Sequence, residues 1–391
     1  MSAIPPMRSD LALMAGYHSP QVSVDVRLNT NESPYPPPDS WTAEFKEELS
    51  NVAFNRYPDR SAWQLRTELA DFHGVSPEEI FCANGSNEVL QCILLAYGGA
   101  GRTAVTFEPT YALHTHIARL TATSVVEGKR NKEFTIEPSE VDRILSICEP
   151  SVTFLCSPNN PTGGADSREL MSYVIEQAPG LVVVDEAYGQ FAPFSALELR
   201  SGYTPAPASG LVVVRTFSKT WSLAGARLGY LVADRQVVSA CEAVALPYHL
   251  SVPVQLAGRT ALKHRKEMEQ RVLAIKNERD RVSAALTALG LQVWHSDSNF
   301  VLFRINPVST KTSANAKTSA STKTSASTKT SASTKTSTKT SANELWQALV
   351  DRSVLIRNCS SWKGLEGCLR VTIGTPEDNN RFLEALEASL K

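Results

Sequence analysis

What this chain lacks narrows its roles before any motif is considered. No stretch approaches the ~20 consecutive apolar residues that a membrane-crossing helix needs. The N-terminal apolar run, residues 11–16, is short and follows Asp10, so no secretory signal peptide is expected. Neither sign of charge is in excess: 39 Lys and Arg against 40 Asp and Glu leave a formal net charge of −1. That balance argues against a nucleic-acid or membrane-surface partner, both of which select for concentrated basic charge. The seven cysteines, at 82, 92, 148, 156, 241, 359 and 368, never fall as C-x-x-C, and their number is odd. Such scatter gives no zinc pattern and suits reduced thiols in a cytoplasmic protein. G-x-G-x-x-G and the P-loop are missing too, which disfavours a dinucleotide or nucleotide cofactor.

What remains is the profile of a globular chain of enzyme size. Its 391 residues, 42% hydrophobic and 20% charged, are enough for two domains and a substantial core. Residues 1–40 include Pro34, Pro36, Pro37 and Pro38 and form an expected extended arm. Beyond it, helical patterns over 61–72 and 88–97 alternate with strand patterns over 80–83, 103–107, 152–156, 181–184 and 211–214. Short β-branched runs between helices predict an α/β domain, with a mostly parallel central sheet sandwiched by helices. A charged, helix-favouring stretch from Pro253 to about Leu289 leads into a smaller α+β domain. Strands are expected there at 292–294, 300–305 and 368–373, and helices at 344–352 and 379–390. The division is thus an arm at 1–40, a large domain at 41–265 and a small one at 266–391. Within the last, residues 308–342 use almost only Ser, Thr, Lys and Ala, with a repeated Lys-Thr-Ser-Ala-Ser-Thr unit. Lacking large apolar groups to offset chain entropy, that segment is expected to be a disordered surface insertion.

Ligands of open parallel sheets sit beyond the carboxyl ends of strands, and three such ends carry reactive groups. Residues 152–156 lead into Ser157-Pro158-Asn159-Asn160-Pro161-Thr162-Gly163, 181–184 into Asp185-Glu186-Ala187-Tyr188, and 211–214 into Thr216, Ser218 and Lys219. Singly, Asp185 suits a helix N-cap, Asn160 a turn, and Tyr188 a core position. Jointly they supply what pyridoxal phosphate requires. Lys219 is the amine for a Schiff base and the later acid and base, and Asp185 keeps a pyridine nitrogen protonated. Asn160 and Tyr188 suit the ring's phenolic oxygen. Cys82-Ala83-Asn84-Gly85-Ser86-Asn87-Glu88 has the form of a strand, a tight turn and a helix start. Gly85 would let the backbone approach a phosphate, helix N–H groups would meet the anion, and Ser86 and Arg227 would add donors. No metal site is expected.

With these residues in place, the chain resembles the fold-type I aminotransferases and, more closely, their histidinol-phosphate branch. The markers are Leu28-Asn29-Thr30-Asn31-Glu32-Ser33-Pro34-Tyr35, Asn55-Arg56-Tyr57-Pro58, Glu108-Pro109-Thr110-Tyr111, Asn160-Pro161-Thr162-Gly163, Asp185-Glu186-Ala187-Tyr188, Ser218-Lys219 with Arg227, and Leu369-Arg370-Val371-Thr372-Ile373-Gly374-Thr375. The resemblance implies that Lys219 is the Schiff-base lysine and that Asp185 pairs with the pyridinium. It places Asn160 and Tyr188 on the phenolic oxygen, Tyr111 on the ring face, and Ser86, Ser218 and Arg227 on the phosphate, with Gly85 and Asn87 in the same turn. It further implies a cytoplasmic homodimer in which Tyr57 reaches the neighbouring subunit's cofactor phosphate. Arg370 and Arg357 would bind the substrates' anionic groups, because a planar fork suits both carboxylate and phosphate. Tyr17 is a further candidate for the substrate phosphate, while His114 and His249 are expected to pack rather than react. The implied substrates are histidinol phosphate and the glutamate/2-oxoglutarate pair. Ser33 departs from the family pattern, where asparagine is commoner. Same-fold alternatives are an aromatic amino-acid aminotransferase and a threonine-phosphate decarboxylase. A non-catalytic effector-binding protein is a third, although the chain has no spare N-terminal domain or basic patch to bind DNA.

Overall fold

The computed structural model describes residues 4–11, 21–200, 210–305 and 341–391. Among the described residues the strands are β1 (Val26–Leu28), β2 (Ile80–Ala83), β3 (Thr103–Glu108), β4 (Ser124–Lys129), β5 (Val152–Cys156), β6 (Leu181–Asp185), β7 (Leu211–Thr216), β8 (Gly229–Val232), β9 (Gln292–Val293), β10 (Phe300–Arg304), β11 (Val354–Asn358) and β12 (Cys368–Thr372). The helices are α1 (Asp39–Ser50), α2 (Trp63–His73), α3 (Ser86–Tyr97), α4 (Ala112–Leu120), α5 (Pro138–Leu145), α6 (Arg168–Gln177), α7 (Arg235–Val244), α8 (Val252–Lys263), α9 (Arg265–Ala288), α10 (Ala342–Val350) and α11 (Pro376–Leu390). Among the described residues, no helix is long and apolar enough to cross a membrane.

Seven strands build the larger sheet in the order β2-β8-β7-β6-β5-β3-β4. Its run from β7 to β4 is parallel, while β8 lies antiparallel to both β7 and β2. Helices cover both faces, so the central strands are buried throughout and lose the polar alternation of a half-exposed strand. Every residue of β5, β6 and β7 is buried. The two-residue period still decides which core each side chain enters. Val183, Val212 and Val214 pack with Val89, Ile93 and Cys241, whereas Val182, Val184 and Val213 pack with Val141, Met171 and Val174.

A second sheet has the order β1-β11-β12-β10-β9. Here β12 is antiparallel to β10 and β11, and β1 joins β11 in parallel, so a strand from within the first forty residues closes one edge. The register sets Arg357 of β11 opposite Arg370 of β12.

Four strands escaped the sequence expectations, each for a physical reason. β1 has only three residues and β8 four. β4 is an edge strand with Ser, Glu and Lys among its residues, and β11 ends in Arg357 and Asn358. The charged, helix-favouring stretch from Pro253 forms two helices, α8 and α9. It breaks at His264, whose ring meets Ser40 Oγ at 3.2 Å and Glu44 Oε2 at 3.3 Å, tertiary contacts with no local signal. The expected insertion at 308–342 lies outside the described residues except at its end, where Ser341 caps α10 and donates its backbone N–H to Glu344. Tyr17 also lies outside the described residues.

Candidate active site

The carboxyl ends of β2, β3, β5, β6 and β7 open on one cleft of about 390 Å³, within the ~300–1,000 Å³ usual for small-molecule sites. Ser86 and Asn87 follow β2, Tyr111 follows β3, Asn160 follows β5, Asp185 and Tyr188 stand at and beyond the end of β6, and Ser218 and Lys219 follow β7. Arg227, Arg357 and Arg370 share the lining. Residues from Ser86 to Lys219 therefore meet because one sheet gathers its strand ends, and the second sheet brings Arg357 and Arg370 to the same cleft.

Lys219 Nζ donates to the Thr30 carbonyl at 3.0 Å and lies 5.8 Å from the Tyr188 ring centroid. Burial lowers its pKa from 10.5 to about 8; Arg370 and Arg227 push the same way, and Glu32 opposes them. An unfolded chain would keep this proton up to 10.5, so folded-state stability from the group rises with pH between about 8 and 10.5. Reactivity should follow the same shift. Acetic anhydride should modify Lys219 with a midpoint near pH 8, against ~10.4 for solvated lysines. Peptide mass analysis across pH checks this, and a midpoint shared with the surface lysines would contradict the burial effect.

Asp185 is buried at the end of β6. Its Oδ1 accepts the Ala187 N–H at 3.0 Å, and its Oδ2 faces His114 Nε2 at 3.0 Å. His114, fully buried, stacks on Phe154 at 4.7 Å and meets Tyr111 edge-on at 5.4 Å. Its Nδ1 has no hydrogen-bond partner. Placing the proton on Nε2 satisfies the carboxylate and leaves no buried N–H unpaired, so that tautomer is assigned by the network. His114 lies behind Asp185, outside the cleft lining, and orients the acid. The spacing from Tyr111 was the available signal, since residues three apart share a helix face.

The anion end is a cradle around α3. No side chain caps this helix, and Gly85 precedes it at φ +81°. A Cβ on Gly85 would strike the Arg227 guanidinium, and one on Gly229 would strike Ser86 N. Glycine is required at both places for the close approach. Arg227 Nη1 donates to Ser218 Oγ at 3.3 Å, and Thr216 Oγ1 donates to the same oxygen at 3.0 Å. Helix N–H groups, a hydroxyl and a guanidinium thus surround one position.

Tyr188 OH accepts from Asn31 Nδ2 at 2.9 Å, and burial raises its pKa, so the phenol stays protonated. Tyr111 OH donates to Asn87 Oδ1 at 3.2 Å. Arg370 donates through Nη1 to Asn160 Oδ1 and through Nη2 to the Asn29 carbonyl at 2.9 Å, while its buried Nε has no partner. With its oxygen so engaged, Asn160 presents its Nδ2 as a donor. Asn29, Thr30, Asn31, Glu32 and Trp362 also line the cleft, none of them anticipated as site residues. Asn31 is pinned by Thr372 Oγ1 at 2.9 Å and by Asn299 Nδ2, which donates to its carbonyl at 3.1 Å.

Tyr57, expected at the neighbouring subunit's cofactor, and His249, expected to pack, both stand outside this cleft. Tyr57 is 80% exposed and stacks on Tyr248 at 4.5 Å. His249 bonds the Cys82 carbonyl at 3.1 Å and lines a separate cavity with Arg66 and Glu242.

A phosphorylated pyridine aldehyde would find each of its groups met in this cleft: an amine, a buried acid, phenol and amide donors, and an anion cradle. The surrounding architecture is that of the fold-type I transferases organised around such a ring. The chain belongs to the aminotransferase class I and II family, whose model matches residues 23–386. Histidinol-phosphate aminotransferase from Corynebacterium diphtheriae is 39% identical over 391 residues, covering 97% of this chain and 95% of that protein. The enzyme of the same name from Thermobifida fusca is 41% identical over 392 residues, covering 97% and 94%. Among solved structures, histidinol-phosphate aminotransferase from Sinorhizobium meliloti in complex with pyridoxal-5'-phosphate superposes with a TM-score of 0.76 at 21% identity, covering 94% of this chain and 91% of that one.

Proposed function

We propose that this chain transfers the amino group of L-histidinol phosphate to 2-oxoglutarate, giving imidazole acetol phosphate and L-glutamate in histidine biosynthesis. Pyridoxal 5'-phosphate is its cofactor. The observation that carries the substrate assignment is the arginine pair. Arg357 and Arg370 stand opposite each other on β11 and β12 and line the same cleft as Lys219. Two cations at cross-strand distance repel, and Arg370 keeps one buried N–H without a partner. An anion with several acceptor oxygens relieves both costs, and a phosphate monoester or a carboxylate fits the guanidinium fork.

Bound in the cleft, pyridoxal phosphate supplies an aldehyde for amines and an electron-withdrawing ring. The protein does the rest. Ser86, Ser218, Arg227 and the α3 N-terminus would hold the phosphate, and Asp185, oriented by His114, would keep a proton on the ring nitrogen. Tyr188 and Asn160 would donate to the phenolic oxygen, and Tyr111 would cover a ring face. Lys219 is the residue that would anchor the aldehyde group, and its free amine would move a proton to and from the substrate α-carbon. Arg357 and Arg370 fix the substrate's anionic end, so glutamate and histidinol phosphate take turns in one site, the ping-pong order.

The same proposal includes a cytoplasmic homodimer in which exposed Tyr57 serves the partner's site, and the division into an arm, a large domain to 265 and a small domain beyond it. Sedimentation should return a dimer.

A transamination assay with histidinol phosphate, phenylalanine and threonine phosphate as donors tests the substrate. Histidinol phosphate should be strongly preferred; preference for phenylalanine, or carbon dioxide release from threonine phosphate, would move the chain to another branch of the fold. Arg370→Lys should lower kcat/KM for histidinol phosphate about 100-fold, on the order of 3 kcal/mol for disrupting a buried charged hydrogen-bond network. The loss should appear mainly in KM. An unchanged KM would remove Arg370 from the substrate site.

A further inference from the structure

The loop between β11 and β12 holds an aromatic residue that none of the steps above uses. Trp362 lines the substrate cleft, and the Arg357 guanidinium carbon sits 5.3 Å from its ring centroid. The residue is fixed from behind. Its backbone N–H donates to the Cys359 carbonyl at 2.9 Å, and its own carbonyl accepts from the Leu365 backbone N–H at 3.0 Å. The side chain packs against the small cluster that includes Trp294, Leu302 and Leu365.

Arg370 is held by Asn160 and the Asn29 carbonyl and lies 5.0 Å from the Phe300 ring centroid. Arg357 carries a long, rotamer-rich side chain beside a like charge, and repulsion favours turning it away from the cleft. An indole face attracts a guanidinium plane and restricts its orientation.

We propose that Trp362 is a positioning residue for the substrate's anionic end: its ring holds the Arg357 guanidinium in the orientation that receives a phosphate or carboxylate. This rests on the assignment of Arg357 and Arg370 as the substrate's anion site, whichever donor occupies it.

The test uses holoenzyme carrying Trp362→Phe, Trp362→Leu, Arg357→Lys, and the Leu and Lys changes together. Leucine fills the apolar cluster but offers no π-face, whereas phenylalanine offers both. KM and kcat for histidinol phosphate are measured, with the inhibition constant of inorganic phosphate as a competitive ligand. Trp362→Leu should raise KM and the inhibition constant about five- to tenfold, the scale of a desolvated cation–π contact, and leave kcat within about twofold. Trp362→Phe should stay within about twofold of wild type throughout. Adding Arg357→Lys to Trp362→Leu should weaken binding much less than Arg357→Lys does alone, because the shared contact is already lost. Equal behaviour of the Leu and Phe variants, or fully multiplicative Leu and Lys effects, overturns the proposal. Should wild type ignore histidinol phosphate, the substrate assignment fails on its own. The same comparison is then read on the KM for glutamate, where a Leu variant equal to Phe overturns the positioning role.

Discussion

Lys219→Ala should lower transamination by about 10⁴-fold or more, the upper range for a positioned proton carrier, with loss of the covalent anchor added to it. Among the described residues lining the cleft, Lys219 is the one primary amine. Its lowered pKa of about 8 leaves a substantial neutral fraction near physiological pH, so it can accept a proton from the α-carbon and return it without a large mismatch. Lys219→Arg should be equally inert, because a guanidinium does not deprotonate in this range. The fold should survive both changes. Alanine removes a buried cation whose desolvation opposes folding, so Tm should hold or rise. The phosphate cradle of Ser86, Ser218 and Arg227 is untouched by the change, and the cofactor should still bind, now removable by dialysis. Residual kcat above about a hundredth of wild type, with the exchange verified by mass, would show that another group moves the proton.

The parts of this site that were legible in the sequence sit where local chemistry and local structure coincide. Asp185 directly follows an unbroken apolar run, and Asn160 and Lys219 stand four and three residues beyond β5 and β7; a run buried on both faces marks a central parallel strand. A polar residue just beyond such a strand faces the place where ligands gather. Gly85 was legible because a tight turn before a helix has a specific backbone demand, seen here as φ +81°.

What escaped depends on contacts across long sequence distances. Asn31 reaches Tyr188 over 157 positions, and the Thr30 carbonyl meets Lys219 over 189. No periodicity within the arm encodes those meetings. They arise because three residues, Val26 to Leu28, add an edge strand to β11 and carry the following polar run across the cleft. Trp362 is similar: a tryptophan in a loop is ordinarily packing, and its place over Arg357 depends on a hairpin whose first strand was not recognised. His114 was expected only to pack, and its partnership with Asp185 was not legible, since that bond crosses from α4 to the end of β6.

Asp185→Asn should lower kcat about 10³-fold, the scale of removing one preorganised electrostatic group from a buried site, and leave the KM for histidinol phosphate within about threefold. The substitution is close to isosteric. An asparagine oxygen can keep either the Ala187 N–H or the His114 N–H, so the turn after β6 should persist, and Tm with it. What disappears is the negative charge proposed to face the ring nitrogen, and with it the reason for that nitrogen to stay protonated during α-proton transfer. His114→Gln leaves the charge in place and loosens only its aim. It should cost about tenfold, as loss of an orienting partner does in metal sites. The arginine pair is changed in neither variant, so the defect belongs in kcat, the reverse of the pattern expected for Arg370→Lys. Equal losses in His114→Gln and Asp185→Asn would mean that orientation, not charge, is what the carboxylate supplies. A KM defect in Asp185→Asn matching that of Arg370→Lys would place the acid at the substrate instead of the ring.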